Sequence, residues 1–439
     1  MSSRDYFQGK RIAVIGLGPH GEMVEDVEYL IKVGALVSIY DLRSEARLKT
    51  HLVFLRSVGL ANYVCGSIPP EDLLDMDLVI LSSEYPRESK FLKTIEENKI
   101  PIEYPETLFF KLAPPVTVVG VMGAVGKATV MSILEPMLDK ACKNYEGQNL
   151  FTIDPESSEG ILSNLKKIKS GDVLLIRIVE PIMKELYEMH ISPHVAVFTT
   201  IPSKSAYHQN PFEILSYQTY NNFIIGNDDI IDETHKLNFQ TRAKMFRTKA
   251  SIIPADWEFR GRGTHDRDNA ALALEAARLF KLRDDDARTI LEKWKALKGR
   301  LEPVKKVKNV EFYNDTASVR SSSTAVALRS LAQNKNIVLL FGGADGGMDY
   351  KDLYTVVPAC AHTIVLLPGS GTMKERLALQ KLEGVDICSA PSIEEGVRIA
   401  LEHAKKGDRV LFSPGFEAGG LDPSRTDRGE RFVKAVRGL

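Results

Sequence analysis

Cysteine is scarce in this chain: Cys65, Cys142, Cys360 and Cys388 are the only four in 439 residues, and none has a Cys-x-x-Cys neighbour. That excludes a disulfide framework and a cysteine-built zinc site, and leaves reduced, mostly buried thiols as the expectation. Long apolar runs are also missing. None reaches the ~18 residues of a spanning helix, and the opening Met1-Ser2-Ser3-Arg4-Asp5-Tyr6-Phe7-Gln8 has no apolar stretch of the signal-peptide kind. A cytoplasmic protein without a membrane partner is expected. Nor is there charge of one sign, since 57 basic residues face 58 acidic ones for a net charge of -1. Bulk positive charge for gripping nucleic acid is therefore absent. The nine histidines form no His-Glu-x-x-His or comparable spacing, which points to surface or core roles. There is no short-period repeat and no low-complexity tract.

What is present fits an ordinary globular chain, with 44% hydrophobic and 26% charged residues and a length suited to about three domains of ~150 residues. Short runs rich in β-branched residues alternate with helix-length amphipathic stretches. The first set is Arg11–Ile15, Ala35–Tyr40 and Asp77–Leu81. A second starts at Val116–Val121, continues through Val173–Ile176, Val195–Phe198 and Phe223–Ile225, and ends in a helix expected over Asp268–Leu282. A third comprises Val310–Tyr313, Ile337–Phe341, His362–Leu367 and Arg409–Ser413. Continuous apolar strands separated by helices imply parallel sheets buried on both faces. Joints are expected at Ala113-Pro114-Pro115, where prolines stop a helix, and at Lys298-Gly299-Arg300. The fold class is thus α/β with three tandem domains, over residues 1–112, 113–298 and 299–439.

Two glycine-rich turns carry the chemistry. Gly16-Leu17-Gly18-Pro19-His20-Gly21 follows the first strand directly, and Asp41 ends the second, 25 residues after Gly16. Glycines there let the backbone approach a pyrophosphate, and the acid can meet a hydroxylated sugar or base. Gly120-Val121-Met122-Gly123-Ala124-Val125-Gly126-Lys127-Ala128-Thr129 likewise joins a strand to a helix. It is similar to the phosphate loop G-x-x-x-x-G-K-[ST], whose amides and lysine hold nucleotide phosphates while a hydroxyl holds magnesium. Ala128 stands where the hydroxyl is wanted, and Thr129 is one residue away.

In this order the pieces resemble the Mur ligases, cytoplasmic enzymes that add amino acids to the nucleotide-linked peptidoglycan precursor, and most of all the branch that adds D-glutamate. The resemblance covers nearly the whole chain. It runs from the Gly16–Gly21 turn with Asp41-Leu42-Arg43 through the Gly123–Lys127 loop, Gly147-Gln148-Asn149, Pro193–Val197 and Gly263–Asn269 to Gly299-Arg300-Leu301-Glu302, Asn314-Asp315, Gly342-Gly343, Ser413-Pro414 and Arg428-Gly429-Glu430. It implies a Rossmann-like N-terminal domain holding a UDP-linked muramoyl substrate or related nucleotide sugar. A P-loop-type central ATPase domain and a Rossmann-like C-terminal domain would follow. The implied reaction is carboxylate activation by ATP, with magnesium, followed by attack of an amino acid's amine. The phosphates would meet Gly123, Gly126, Lys127 and Thr129, and the adenosine part Asn269, Arg300 and Asp315. The nucleotide sugar would meet Gly16, Gly18, Gly21, Asp41, Arg43 and Asn149.

The departures cluster. The family's metal-binding glutamate falls at Arg177, with Glu180 three residues on as the alternative match. Its metal-binding histidine falls near Lys204, with His208 as a distant substitute, and its carbamate-bearing lysine near Ser216. Lys127, Glu180, Arg177 and Lys204 are therefore the catalytic candidates, and Thr129 and Glu180 the metal candidates. An arginine cannot bind a metal, although its permanent charge can stand near a phosphate. Asn314-Asp315-Thr316-Ala317-Ser318-Val319 and Gly342–Gly347 lack lysines that the family uses for phosphate and the incoming amino acid. Two readings follow: a ligase with altered metal and amino-acid sites, or a non-catalytic homologue that binds a nucleotide or nucleotide sugar as a sensor or as the subunit of a protein partner. The C-terminal Arg425, Arg428 and Arg431 are expected to include an exposed helical face.

Overall fold

The computed structural model describes residues 3–18, 21–82, 90–144, 148–154, 159–201, 210–236, 241–259, 261, 264–345, 350–418 and 425–439. Its first sheet consists of β1 (Arg11–Ile15), β2 (Leu36–Asp41), β3 (Asn62–Cys65), β4 (Leu78–Leu81) and β5 (Ile102–Glu103). They are all parallel, in the order β3-β2-β1-β4-β5. The second contains β6 (Thr117–Met122), β7 (Leu150–Ile153), β8 (Val173–Arg177), β9 (Val195–Phe198), β10 (Phe223–Gly226) and β11 (Lys244–Arg247), again parallel, in the order β11-β10-β9-β6-β8-β7. The third contains β12 (Glu302–Val307), β13 (Val310–Asn314), β14 (Ile337–Phe341), β15 (Ala361–Leu366), β16 (Asp386–Ser389) and β17 (Arg409–Phe412) in the order β12-β13-β17-β14-β15-β16. There β12 alone is antiparallel to its neighbour.

Every strand legible from an apolar run is an inner strand of its sheet. The six that escape notice, β3, β5, β7, β11, β12 and β16, are the six edges. An edge strand is covered less completely, so its sequence need not be continuously apolar. β12 shows the extreme: Glu-Pro-Val-Lys-Lys-Val alternates toward solvent, carries a proline that an edge tolerates, and turns back through Lys308 and Asn309, both with positive φ (48° and 64°). The helix expected over Asp268–Leu282 runs instead over Thr264–Leu279, one turn earlier.

The chain forms two compact units. One comprises residues 1–123, 134–249 and 272–286, the other residues 124–133, 250–271 and 287–439. In the first unit a continuous apolar core joins the first sheet (Ile12, Val14, Ile39, Ile80) to the second (Leu174, Ile176, Ala196, Phe198) through Leu108, Phe109, Ile161 and Leu162. In the second unit the third sheet has a core on each face, around Leu339 and Phe341 on one side and Val338, Leu340 and Phe412 on the other. Burial of this extent supplies the main stabilisation of such sheets.

The strand orders also locate the turns. β1 lies between β2 and β4, β6 between β9 and β8, and β14 between β17 and β15, so each is a point where the chain switches direction across its sheet. Crevices at the carboxyl ends of such strands are where parallel α/β sheets bind ligands. The glycine turns after β1, β6 and β14 occupy those ends. Among the described residues no helix is long and apolar enough to cross a membrane.

Candidate functional site

After β1 the backbone makes three left-handed steps, at Gly16, Gly18 and Gly21. A β-carbon at Gly18 would sit 2.0 Å from Oε2 of Glu22, and one at Gly21 2.6 Å from the His51 ring, so both positions need glycine on two counts. Asp41 holds this turn from β2. Its buried carboxylate accepts from the Leu17 amide (3.0 Å), the Arg43 amide (2.9 Å), and Arg43 Nε and Nη2 (2.9 and 2.6 Å). Burial alone would raise its pKa, but these donors and the Arg43 charge hold it below the usual carboxylate range. Asp41 therefore acts as the pin of the turn and of Arg43. Asn149, exposed before β7, is tied through its amide and Nδ2 to Asp172 (2.9 and 3.2 Å).

The loop after β6 is built the same way. Gly123 and Gly126 have φ of 129° and 96°, and Val130 donates to the Gly126 carbonyl to start the helix Lys127–Lys143. Thr199, just past β9, donates through both its amide and its hydroxyl to the Met122 carbonyl (2.9 and 3.1 Å). A β-carbon at Gly123 would lie 2.3 Å from that hydroxyl and 2.8 Å from the Thr200 amide nitrogen. Gly123→Ala is accordingly expected to cost about 3 kcal/mol of stability in the unit carrying the second sheet, through strain and overpacking together. Urea unfolding followed by far-UV circular dichroism reads this, and a wild-type midpoint would refute the close approach. Lys127 folds its Nζ back to 3.4 Å from the Ala124 carbonyl, and Thr129 is buried at the first turn.

Arg177 ends β8, is buried, and makes an ion pair with Asp154, the residue after β7. Its charge is thus committed to a carboxylate of the neighbouring strand. Glu180 opens the helix Glu180–Glu188, half-buried, where an acid complements the positive end. Among the described residues no three His, Cys, Asp or Glu side chains cluster as metal ligands. The Thr129 hydroxyl and the Glu180 carboxylate are the donors that the sequence offers for magnesium. Lys204 and His208 lie outside the described residues, as do Pro19, His20, Gly147, Gly263, Gly346 and Gly347. Ser216 caps a short 3-10 turn.

Around the third sheet, residues far apart in sequence converge. Asp315, directly after β13, is buried and accepts from the Leu301 amide (3.1 Å) and the Ser413 hydroxyl (2.7 Å). Burial pushes its pKa up to about 6, against the hydrogen bonds of Ser318, Ser413 and Leu301 and the Arg300 charge. Glu302 accepts from the Gly299 amide (2.9 Å) and Asn314 Nδ2 (3.1 Å). Gly299–Glu302, Asn314-Asp315 and Ser413 are therefore one hydrogen-bonded network, with Arg300 half-buried at its margin. Asn269 is buried in the helix Thr264–Leu279 of the same unit.

Of the C-terminal arginines, Arg428, part of the Arg428-Gly429-Glu430 match, is not on the exposed face. It is 2% exposed, and its guanidinium donates to the carbonyls of Phe416 (3.2 Å) and Glu417 (3.3 Å). Arg431 instead pairs with Glu394 at the surface. Cys142 and Cys360 are buried, while Cys65 and Cys388 are half-buried. Asp154 and Asp172, which hold Arg177 and Asn149, carry no spacing signal that would have singled them out.

Three α/β sheets, each with a glycine turn at the carboxyl end of an inner strand, give the three-domain fold seen in Mur ligases. Residues 299–416 match the Mur ligase, glutamate ligase domain. The chain is similar to the Mur ligases, and along nearly all of its length the likeness is to MurD. It is 28% identical to the UDP-N-acetylmuramoylalanine--D-glutamate ligase of Roseiflexus sp. (strain RS-1), covering 98% of each chain. Among solved structures it shares its fold with the UDP-N-acetylmuramate-alanine ligase MurC of Thermotoga maritima (TM-score 0.60, 15% identity, 98% of this chain and 99% of that one). It also shares it with the MurF ligase of Thermotoga maritima in complex with ADP (TM-score 0.52, 16% identity, 100% and 97%).

Proposed function

We propose that the protein is a MurD-like, ATP-dependent ligase that joins an amino acid to a UDP-linked muramoyl substrate in peptidoglycan precursor synthesis. The observation that carries this reading is the phosphate loop at the end of β6, with glycines at two left-handed positions and Lys127 opening the helix, in a chain similar to D-glutamate ligases along its whole length. The three ranges 1–112, 113–298 and 299–439 would bind the nucleotide sugar, ATP and the incoming amino acid in turn.

In that reaction ATP supplies the phosphoryl group that turns a carboxylate into a competent acyl donor. The residues of this chain bind and orient. The loop amides and Lys127 neutralise the transferring phosphoryl group, which is where electrostatic stabilisation counts most. Asn269, Arg300 and the Asp315 network would hold the adenosine end. Gly16, Gly18 and Gly21, with Arg43 fixed by Asp41 and with Asn149, would hold the uridine nucleotide. Thr129 and Glu180 are the residues that would hold magnesium, whose chemistry is to neutralise phosphate charge. The acceptor is not assigned to D-glutamate, because Gly342–Asp345 and Thr316–Val319 carry none of the lysines that the resemblance asks for.

A second reading is favoured by one observation, the pairing of buried Arg177 with Asp154 at the position where the resemblance calls for a metal-binding glutamate. It makes the protein a non-catalytic nucleotide-sugar binder. Purified protein with ATP, magnesium, UDP-N-acetylmuramoyl-L-alanine and a mixture of L- and D-amino acids, followed by mass spectrometry, separates the two. A product shifted by one amino-acid residue is expected, and the added mass names the acceptor. No product, beside an authentic MurD that turns over in parallel, overturns the ligase reading for this substrate. Retained binding of the nucleotide sugar would then support the second.

A further inference from the structure

Two acids with no place in the proposed chemistry are buried where the first sheet's helices meet the second sheet's domain. Asp26, in the first turn of the helix Val24–Lys32, is 1% exposed, and its Oδ1 accepts from the Leu162 amide at 2.7 Å. Its neighbour Glu25 accepts from the Gly160 amide at 2.8 Å. The turn they hold starts the short 3-10 helix Leu162–Lys166, which lies between β7 and β8 in the chain. Gly160 has no spare room, since a β-carbon there would be 2.7 Å from Glu25 Cβ and 2.9 Å from Asp26 Oδ1. Glu106 comes from the helix Pro105–Leu112, just before the Ala113-Pro114-Pro115 joint; it is also 1% exposed, and its Oε2 has no hydrogen-bond partner among the described residues.

Among the described residues no ion pair reaches these carboxylates. On their own helices Lys32 pairs with Glu28 and Lys111 with Glu103; on the elements packed against them Lys184 pairs with Glu188 and Arg56 with Glu45, while Lys166 lies over the Tyr29 ring. The charges that act on Asp26 are those of Glu106 and Glu25, both of the same sign. Two buried like charges without a counterion are costly, and the ordinary relief is to keep a proton.

We infer that Asp26 and Glu106 form a proton-controlled latch, which clamps the Gly160–Leu162 turn while the pair retains a proton and loosens it when both acids ionise. Burial, the largest cause for each, pushes both groups up to about 7 from ordinary values near 4. The closed joint therefore binds more protons than the open one between about pH 4 and pH 7. Its closure is complete at the acid end, weakens as pH rises through that window, and is constant above it. The inference is independent of the ligase reading, since it concerns only the joint.

Hydrogen–deuterium exchange on the full-length protein at pH 5 and pH 7.5, corrected for intrinsic exchange, tests this. Peptides covering residues 159–168 should exchange at least ten times faster at the higher pH in the wild type. Glu106→Gln, which keeps the shape and removes one ionisation, should cut that rise several-fold, and Asp26→Asn should do the same if it folds. Peptides over β14 serve as the control and should show no such rise. Equal pH dependence in wild type and Glu106→Gln, or no rise in the wild type, would overturn the latch.

Discussion

Replacing Lys127 by alanine is expected to lower ATP-dependent ligation by about three orders of magnitude while leaving the fold intact, because one positioned cation is removed from the proposed phosphoryl-transfer site. The side chain is at the first residue of the helix after the loop, and its Nζ lies 3.4 Å from the Ala124 carbonyl, a long hydrogen bond that exchanges readily for phosphate oxygens. The loop itself is shaped by Gly123, Gly126 and Thr199, none of which depends on the ammonium. Product formation by mass spectrometry, with circular dichroism as the folding control, reads the effect. Lys127→Arg should recover little, since a planar fork does not substitute for a compact charge in a close-fitting loop. Undiminished ligation by the alanine variant would place the phosphates elsewhere.

The second large effect is structural. Arg428→Ala should destabilise the unit containing the third sheet by about 3 to 5 kcal/mol, the range for removing one partner from a buried, hydrogen-bonded charge site. The guanidinium spans the carbonyls of Phe416 and Glu417 in the turn after β17, and a β-carbon added at Gly343, after β14, would be 3.1 Å from its Nη1. It thus ties together two of the turns at the switch point of that sheet. Arg428→Lys should lose most of the same stability, because an ammonium cannot reach both carbonyls in one plane. Both tryptophans, Trp257 and Trp294, are nearly buried and belong to this unit, so urea unfolding followed by their fluorescence reports on it selectively. An unchanged midpoint would mean that the Phe416–Glu417 turn is held without Arg428.

These two residues differ in how they can be recognised. Lys127 is legible from a run of ten residues, because a phosphate loop is local: strand, glycines, lysine and helix follow one another in the chain. Arg428 is marked only as one piece of the ordered resemblance, in Arg428-Gly429-Glu430, and nothing local in the sequence shows its burial. It sits in a helix whose arginines recur at a spacing that reads as solvated, and only the packed helix shows that Arg431 faces solvent and Glu394 while Arg428 faces the sheet. The same contrast holds for Asp41. Its position at the end of β2 reads as a contact to a ligand's sugar or base, whereas its carboxylate is occupied by Leu17 and Arg43.

The inner strands, the glycine turns after β1, β6 and β14, and the ordered resemblance to a ligase family were decided by the sequence alone, because burial on both faces demands continuous apolar residues and a tight turn demands glycine. The six edge strands were decided by tertiary structure, since a half-covered strand needs no apolar run and takes its identity from its neighbour. So were the partners that charged groups find far along the chain: Arg177 with Asp154, Asp315 with the Ser413 hydroxyl, and the joint that buries Asp26 and Glu106 beside the Gly160–Leu162 turn. A charge announces its sign in the sequence, but the partner, the burial and the proton it keeps follow only from which segments the fold presses together.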